Sequence, residues 1–308
     1  MTKKITIICG PTASGKSDFA LKIAQKTNAV IINCDSKQLY QDIPIITAQP
    51  TKDEMALVPH KLYGVVPVTE DCSVSKWLDI ALPIITKSRE DNKHILLVGG
   101  TGLYIKALTE GINIIPDIPH KIRNEVRELL LELGNEEFFK LLKEQDPEIA
   151  QKLKIGDSQR ITRAMEVLKA TGKSLLYFQS QLKQKFFEED EFNIFFLYNE
   201  REKLYENCTK RFLNMLENGA IEEAKYLRSL NLDKNLTVMK SHGVPELIAY
   251  LNNEITLPQA TEIGIKNTRH YIKRQFTWFS HQIPNIKKIN NADKNSSDLI
   301  INMLSSCA

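Results

Sequence analysis

Residues 10–17 read GPTASGKS, which fits the pattern GxxxxGK[ST] at every fixed position. An apolar run, Ile5 to Cys9, precedes this loop, and Phe19, Ala20, Ile23 and Ala24 follow it at helical spacing. Strand, phosphate-sized loop and helix in that order commit the region to an α/β sheet whose first crossover begins at an anion site. Backbone N–H groups from Ala13 to Lys16 can ring an anion, and the positive end of the following helix adds to the attraction. Lys16 can reach a phosphate oxygen, and the Ser17 hydroxyl suits Mg2+. Gly10, Pro11, Thr12, Ala13, Ser14, Gly15, Lys16 and Ser17 are therefore the candidate diphosphate-binding residues, with Ser17 as the metal ligand. The motif alone leaves open which di- or triphosphate is held.

Two more continuous apolar runs, residues 29–33 (AVIIN) and 95–98 (ILLV), read as buried strands, and the second is closed by Gly99, Gly100 and Gly102. Such runs separated by helices predict a parallel sheet covered on both faces. After Gly111 the character changes. Pro116 and Pro119 bracket a turn, and Ile122, Val126, Leu129, Leu130 and Leu133 mark one face of a helix that stops at Gly134. Asn135 can cap the next helix, and Asp146-Pro147 opens another that stops at Gly156. Asp157 or Ser158 can cap a longer one that runs to about Gly172. Residues 194–198 (IFFLY) return to strand character, with helices expected over 201–218, 220–229, 243–252 and 258–280 and a weak strand near 286–289. The fold class expected is α/β: a P-loop NTPase-like parallel sheet core flanked by helices (1–115 and 189–290), with an all-helical insertion over 116–188. The Asn- and Ser-rich tail, 291–308, is expected to be frayed.

Composition excludes some classes. Lys and Arg number 41 against 38 Asp and Glu, and a net charge of +3 is too mild to identify a nucleic-acid binder unless the cations cluster. Cysteines at 9, 34, 72, 208 and 307 make no CxxC pair and no zinc-like spacing, which predicts a reducing compartment, the cytosol. No apolar run approaches the ~18 residues of a membrane span, so no membrane partner is expected. The six histidines show no metal spacing either.

The identity of the phosphate compound turns on the third strand. A nucleotide hydrolase or kinase usually carries an acidic residue after such a strand. Here the strand runs into Gly99, Gly100 and Thr101. This weakens an ATP-using reading and leaves it open.

Five segments together resemble the bacterial tRNA dimethylallyltransferases: GPTASGKS (10–17), INCDSKQLYQDI (32–43), LLVGGTGLYIKAL (96–108), DSQRITRAMEVLKATGK (157–173) and TRHYIKRQFTWF (268–279). They occur in order across about 270 of the 308 residues. The resemblance implies transfer of a dimethylallyl group from dimethylallyl diphosphate to N6 of the adenosine 3′-adjacent to the anticodon, with diphosphate released and Mg2+ as cofactor. It implies that Asp35 is the general base and that Lys16 and Thr101 share the catalytic work. Asp35 directly follows the second strand and Thr101 the third, so both belong at the carboxyl edge of the sheet, where ligands gather. The tRNA-binding set it implies is Asp35, Ser36, Lys37, Gln38, Thr101, Arg123, Gln159, Arg160, Ile161, Thr162 and Arg163. Gln38 could pair bidentately with adenine. The expected partners are dimethylallyl diphosphate and the anticodon stem-loop of tRNA, met by a cytoplasmic monomer.

The resemblance has gaps. Ile46 and Gln49 stand where the family usually has glycine and lysine, and SHGVPEL (241–247) carries His, Val and Pro where Ile, Tyr and Lys are usual. The zinc finger of eukaryotic members is not expected, since the cysteines and histidines here lack its spacing. Within 265–279, Lys266, Arg269 and Lys273 share one face and Ile265, Ile272, Phe276 and Phe279 another, the pattern of a core helix offering a basic flank to RNA or diphosphate. Arg274 and Trp278 fit either face's purpose, and Arg201 and Arg211 resemble arginines near substrate in the family. Three alternatives stay open at this level: a P-loop NTPase or small-molecule kinase, a prenyltransferase acting on free adenine nucleotides, and a non-catalytic RNA-binding protein.

Overall fold

The computed structural model describes residues 3–283, 286–293 and 295–306. Cys307 lies outside them. The first compact unit takes residues 1–109 and 187–308. It opens with β1 (Ile5–Cys9), α1 (Lys16–Lys26) and β2 (Ala29–Asn33). Then come α2 (Pro44–Thr47), α3 (Lys52–Leu57), β3 (His60–Lys61), α4 (Val74–Glu90), β4 (His94–Gly99) and α5 (Gly102–Glu110). Every residue of β1, β2 and β4 is buried, which is why these strands read as unbroken apolar runs rather than alternating ones.

The second unit, residues 110–186, is helical: α6 (His120–Gln145), α7 (Pro147–Ala150), α8 (Ser158–Thr171) and α9 (Leu175–Gln179). α6 is broken at Gly134, whose φ of 71° no helix interior accepts. A Cβ there would meet nothing within 4 Å, so the backbone conformation and not crowding calls for glycine. Asp146 caps α7 through Oδ1, which accepts from the Ile149 N–H at 3.3 Å. Val126, Phe138, Leu142, Ile161, Ala164 and Met165 form this unit's own core.

The chain then returns to the first unit through β5 (Phe192–Tyr198), α10 (Arg201–Glu217), α11 (Ala220–Ser229), α12 (Val244–Leu251), α13 (Leu257–Gln282), β6 (Lys287–Asn290) and α14 (Ser296–Ser305). The six strands are parallel, in the order β3-β2-β4-β1-β5-β6. In register, Cys9 lies opposite both Gly99 and Phe196, so the loops after β1, β4 and β5 leave the sheet at one edge. That edge is where the phosphate loop and Asp35 begin.

The tail corrects one expectation. α14 is a helix, with Ile300 and Leu304 buried in the cluster that holds Phe19, Ile23 and Leu197. Ile300 and Leu304, four apart on one face, are buried, Ile301 and Met303 pack partly against the same cluster, and fully burying such a side chain contributes ~1.5–3 kcal/mol. α2, α3, β3 and α4 also go beyond the sequence reading, which assigned no element to that stretch.

Candidate active site at the carboxyl edge of the sheet

The loop after β1 is held by groups remote in sequence. Gly10 packs against β5: a Cβ there would lie 2.3 Å from the Leu197 carbonyl oxygen. Gly15 has φ +83°, and its Cβ would lie 2.6 Å from Asn291 Nδ2. Asn199 and Asn291 each donate to the Ser14 carbonyl at 2.9 Å, and Asn207 donates to that of Ala13 at 3.2 Å. With these carbonyls bound, the N–H groups of Ala13, Gly15 and Lys16 find no acceptor among the described residues and are available to an anion.

Gln275 joins two of the loops. Its Oε1 accepts from the Thr12 N–H at 2.9 Å, and its Nε2 donates to the Gly100 carbonyl at 3.0 Å. Arg211 donates to Thr12 Oγ1 at 3.0 Å. Burial lowers the Lys16 pKa to about 8, with Asp35 the largest opposing influence. Lys16 Nζ rests on the Pro11 carbonyl at 3.1 Å.

Asp35 is fixed just as firmly. Asn33 Oδ1 accepts from the Asp35 N–H at 2.8 Å, while Asn33 Nδ2 donates to the Asp35 carbonyl at 3.1 Å and to that of Leu62 at 2.9 Å. Asp35 Oδ1 accepts from the Lys37 N–H at 3.0 Å, and Oδ2 has no donor among the described residues. Gly99 lets the neighbouring strand pass: a Cβ there would lie 2.1 Å from the Cys34 carbonyl carbon. Thr101 Oγ1 accepts from the Ser36 N–H at 2.9 Å and donates to Ser36 Oγ at 3.3 Å.

These elements enclose a cavity of about 780 Å³, within the range that holds small ligands. Its lining includes Thr12, Ala13, Gly15, Lys16, Ser17, Asp35, Lys37 and Gln38. Six cationic side chains face it, from Lys16, Lys37, Lys210, Arg211, Lys240 and Arg274, against three carboxylates, from Asp18, Asp35 and Glu54. The excess suits a multiply charged anion. Burial also brings Lys37 down to about 8, and its ammonium donates to the Thr237 carbonyl. His242 packs against Tyr271 with the rings tilted and their centroids 4.7 Å apart, and burial, then Lys37 and Arg274, lower its pKa to about 4. It stands uncharged at neutral pH.

Several sequence expectations change in detail. Ser36 and Thr101 are not among the lining residues, and their hydroxyls are engaged with each other. Gln38 donates its amide N–H groups to the Thr47 and Ala48 carbonyls, so only Oε1 remains for a base and bidentate pairing is lost. Gln49 donates to the Tyr40 carbonyl at 2.7 Å and to Thr47 Oγ1 at 3.2 Å, acting as a loop brace. Ile46 is buried, its N–H bound by Glu223 at 2.8 Å. Trp278 lies on Gly102, where a Cβ would be 2.0 Å from the indole.

In the helical unit, Gln159 and Arg160 are exposed, with Arg160 Nε 3.3 Å from Asp157. Arg163 reaches Glu166 at 3.4 Å, and Thr162 donates to the Ser158 carbonyl at 2.7 Å. Arg123 is half-buried, and its Nε lacks an acceptor among the described residues. Ile161 corrects an expectation: it is 1 % exposed inside the unit's core and presents no side chain to RNA. Its place at i, i+4, i+7 with Met165 and Leu168 already marked the apolar face of α8.

What sequence reading missed is the wall built by α10, α13 and the loop between α11 and α12: Asn207, Lys210, Asn214, Lys240, His242 and Tyr271. One signal was present, the polar stripe Asn207, Lys210, Arg211, Asn214 at i, i+3, i+4, i+7. No group of three His, Cys, Asp or Glu side chains that could hold a metal occurs among the described residues. Exposed Ser17 lines the cavity beside Lys16, so a metal held there would take its other oxygens from a bound diphosphate and water.

The family model of the IPP transferases matches residues 38–282. A tRNA dimethylallyltransferase of Ehrlichia ruminantium (strain Welgevonden) is 45% identical over 281 residues, covering 91% of this chain and 93% of that protein. One of Wolbachia sp. subsp. Drosophila simulans (strain wRi) is 45% identical over 295 residues, 96% of this chain and 99% of its own. Among solved structures, the full-length tRNA isopentenylpyrophosphate transferase from Bacillus halodurans superposes with a TM-score of 0.71 at 30% identity, covering 99% of this chain and 96% of that one. A eukaryotic dimethylallyltransferase acting on tRNA gives a TM-score of 0.80 at 28% identity, covering 99% of this chain and 80% of its own.

Proposed function

The chain belongs to the IPP transferase family and is a tRNA dimethylallyltransferase in kind, and from that premise we propose that it moves a dimethylallyl group from dimethylallyl diphosphate to N6 of the adenosine 3′-adjacent to the anticodon. The observation that carries this reading is the shared cavity. Lys16 with its phosphate loop, and Asp35 with an unpartnered Oδ2, line one chamber, and the charge of Asp35 acts on Lys16.

The N6 lone pair attacks C1 of the allyl group. The C1–O bond breaks with its electron pair going to diphosphate, and the N6 proton passes to Asp35 Oδ2. Asp35 Oδ1 stays on the Lys37 N–H, so the carboxylate is already oriented when the proton arrives. Free N–H groups of Ala13, Gly15 and Lys16, the Lys16 ammonium and Arg211 bear on the charge that grows on the leaving oxygen. Each such donor contributes ~3 kcal/mol to a transition state of this type. Mg2+ held through Ser17 would supply further charge neutralisation at the diphosphate. Thr101 and Ser36 serve as positioning residues, because their mutual hydrogen bonds fix the backbone that follows Asp35.

An adenine stacked in the anticodon loop must leave the stack to reach this chamber, at a cost of a few kcal/mol that a single-stranded loop keeps low. Gln159, Arg160, Thr162, Arg163 and Arg123 supply tRNA contacts from the helical unit, and Lys37 and Gln38 Oε1 meet the nucleotide in the core unit. The enzyme works as a cytoplasmic monomer. No helix among the described residues is long and apolar enough to cross a membrane.

The test is incubation with labelled dimethylallyl diphosphate, Mg2+ and either unmodified tRNA or AMP. Label is expected in tRNA. Label in AMP alone would overturn the substrate, and ATP turnover without label transfer would overturn the reaction class.

A further inference from the structure

A second basic surface lies away from the chamber. α10 and α13 form a groove of about 470 Å³ lined by Tyr205, Thr209, Lys266, Arg269, His270 and Lys273, with Glu262 its one acidic residue. The two helices divide their faces between two tasks. On α10 the chamber takes Asn207, Lys210, Arg211 and Asn214, and the groove takes Tyr205 and Thr209. On α13 the chamber takes Tyr271 and Arg274, and the groove takes the stripe 262, 266, 269, 273.

Arg269 is built into place. Its Nη2 donates to Thr209 Oγ1 at 3.0 Å, its guanidinium lies 5.2 Å from the Tyr205 ring, and Nε is buried without an acceptor among the described residues. Arg201 Nε in turn donates to the Tyr205 hydroxyl at 3.0 Å and lies 5.2 Å from the same ring. No carboxylate among the described residues neutralises Arg269, Lys266 or Lys273. The contrast is Arg89, also half-buried and over a ring, whose charge is paired with Glu191 at 2.8 Å although its Nε and Nη2 are as unpartnered as Arg269 Nε among the described residues. An arginine held in position with its charge unanswered, flanked by two exposed lysines, is arranged for an anion.

We propose that this groove binds backbone phosphates of the tRNA outside the nucleotide being modified. This rests on the tRNA reading above. The cations at 266, 269 and 273 run ~10 Å along α13, which suits successive phosphates of a polyanion better than one diphosphate. Tyr205 is engaged by Arg201 at its hydroxyl and by Arg269 at its ring, and the groove's remaining cations are lysines, point charges that meet phosphate, so the contact is to backbone and independent of sequence.

The experiment measures affinity of wild type, K266Q/K273Q, R269Q and R269K for full-length unmodified tRNA between about 50 and 200 mM salt, beside prenyl transfer. Each lost phosphate contact removes ~0.7–0.9 from the slope of log K against log salt, so the double variant should lose ~1.6. The wild-type advantage then shrinks about ninefold across that fourfold salt range. R269Q should lose roughly half as much slope and R269K none, a difference that a merely structural arginine would not produce. Turnover at saturating tRNA and KM for dimethylallyl diphosphate should stay as in wild type. Unchanged slopes in both K266Q/K273Q and R269Q, with the wild type active on tRNA, would overturn the groove alone. A wild type that prenylates no tRNA would instead overturn the functional reading beneath it.

Discussion

Replacing Gln275 with leucine tests whether a residue remote from the phosphate loop sets its position. The side chain is 4 % exposed, and its two hydrogen bonds run to the Thr12 N–H and the Gly100 carbonyl, at 2.9 and 3.0 Å. Leucine nearly conserves shape and leaves both backbone groups without a partner. A buried group left unpaired costs about 1–3 kcal/mol, so the pair costs about 2–6. Thr12 is half-buried beside the chamber, and water can reach its N–H, which puts the expected loss near the low end, ~2–3 kcal/mol. For a chain of this size that is a fall in Tm of roughly 3–5 °C, read by thermal or urea unfolding. The loop also loses one of its anchors, and a misplacement of about 1 Å can cost ~10²-fold in rate. KM for dimethylallyl diphosphate should rise and kcat should fall while tRNA affinity holds. A Gln275→Leu enzyme with wild-type Tm and donor KM would show that the bridge positions nothing.

Asp35→Asn keeps an acceptor for the Lys37 N–H but cannot take the N6 proton, so transfer should fall ~10²–10⁴-fold with folding intact; activity within a few-fold of wild type removes Asp35 as the base. Diphosphate binding should weaken as pH rises through about 8, because Lys16 and Lys37, both lowered to about 8 by burial, lose their charges there. Calorimetric titration with inorganic diphosphate from pH 6.5 to 9.5 checks this, and a flat affinity refutes it. Removing the charge at Asp35 should move that fall to lower pH, since Asp35 is the largest influence holding the Lys16 pKa up. Arg160→Ala should weaken tRNA binding and reduce its salt slope by ~0.7–0.9, because the exposed side chain is paired only with Asp157 among the described residues; an unchanged slope returns it to the surface of an amphipathic helix.

The sequence by itself determined those features that depend on near neighbours. A five-residue apolar run, a glycine-bracketed turn and a helical period are local, so β1, the phosphate loop and α1 could be read directly, as could β2, β4 and β5 to within two residues at either end. Gly134 was legible as a break for the same reason. Asp35 was placed at the sheet edge because it follows a strand whose register puts all such ends together. Tertiary structure decided what depends on distant pairs. Gln275 meets Thr12 across 263 residues, Asn291 meets Ser14 across 277, and no local pattern announces either. The wall carrying Lys240, His242 and Tyr271 exists only once α10, α13 and the loop between α11 and α12 pack beside the sheet. Gln38 looked free to read a base until the fold brought two carbonyls to its amide, whereas Ile161 belonged to the apolar face by its spacing alone and the fold only supplied the core it enters. Backbone preference acts over about one helical turn, whereas burial and hydrogen-bond completion act on whatever the fold brings within a few ångströms.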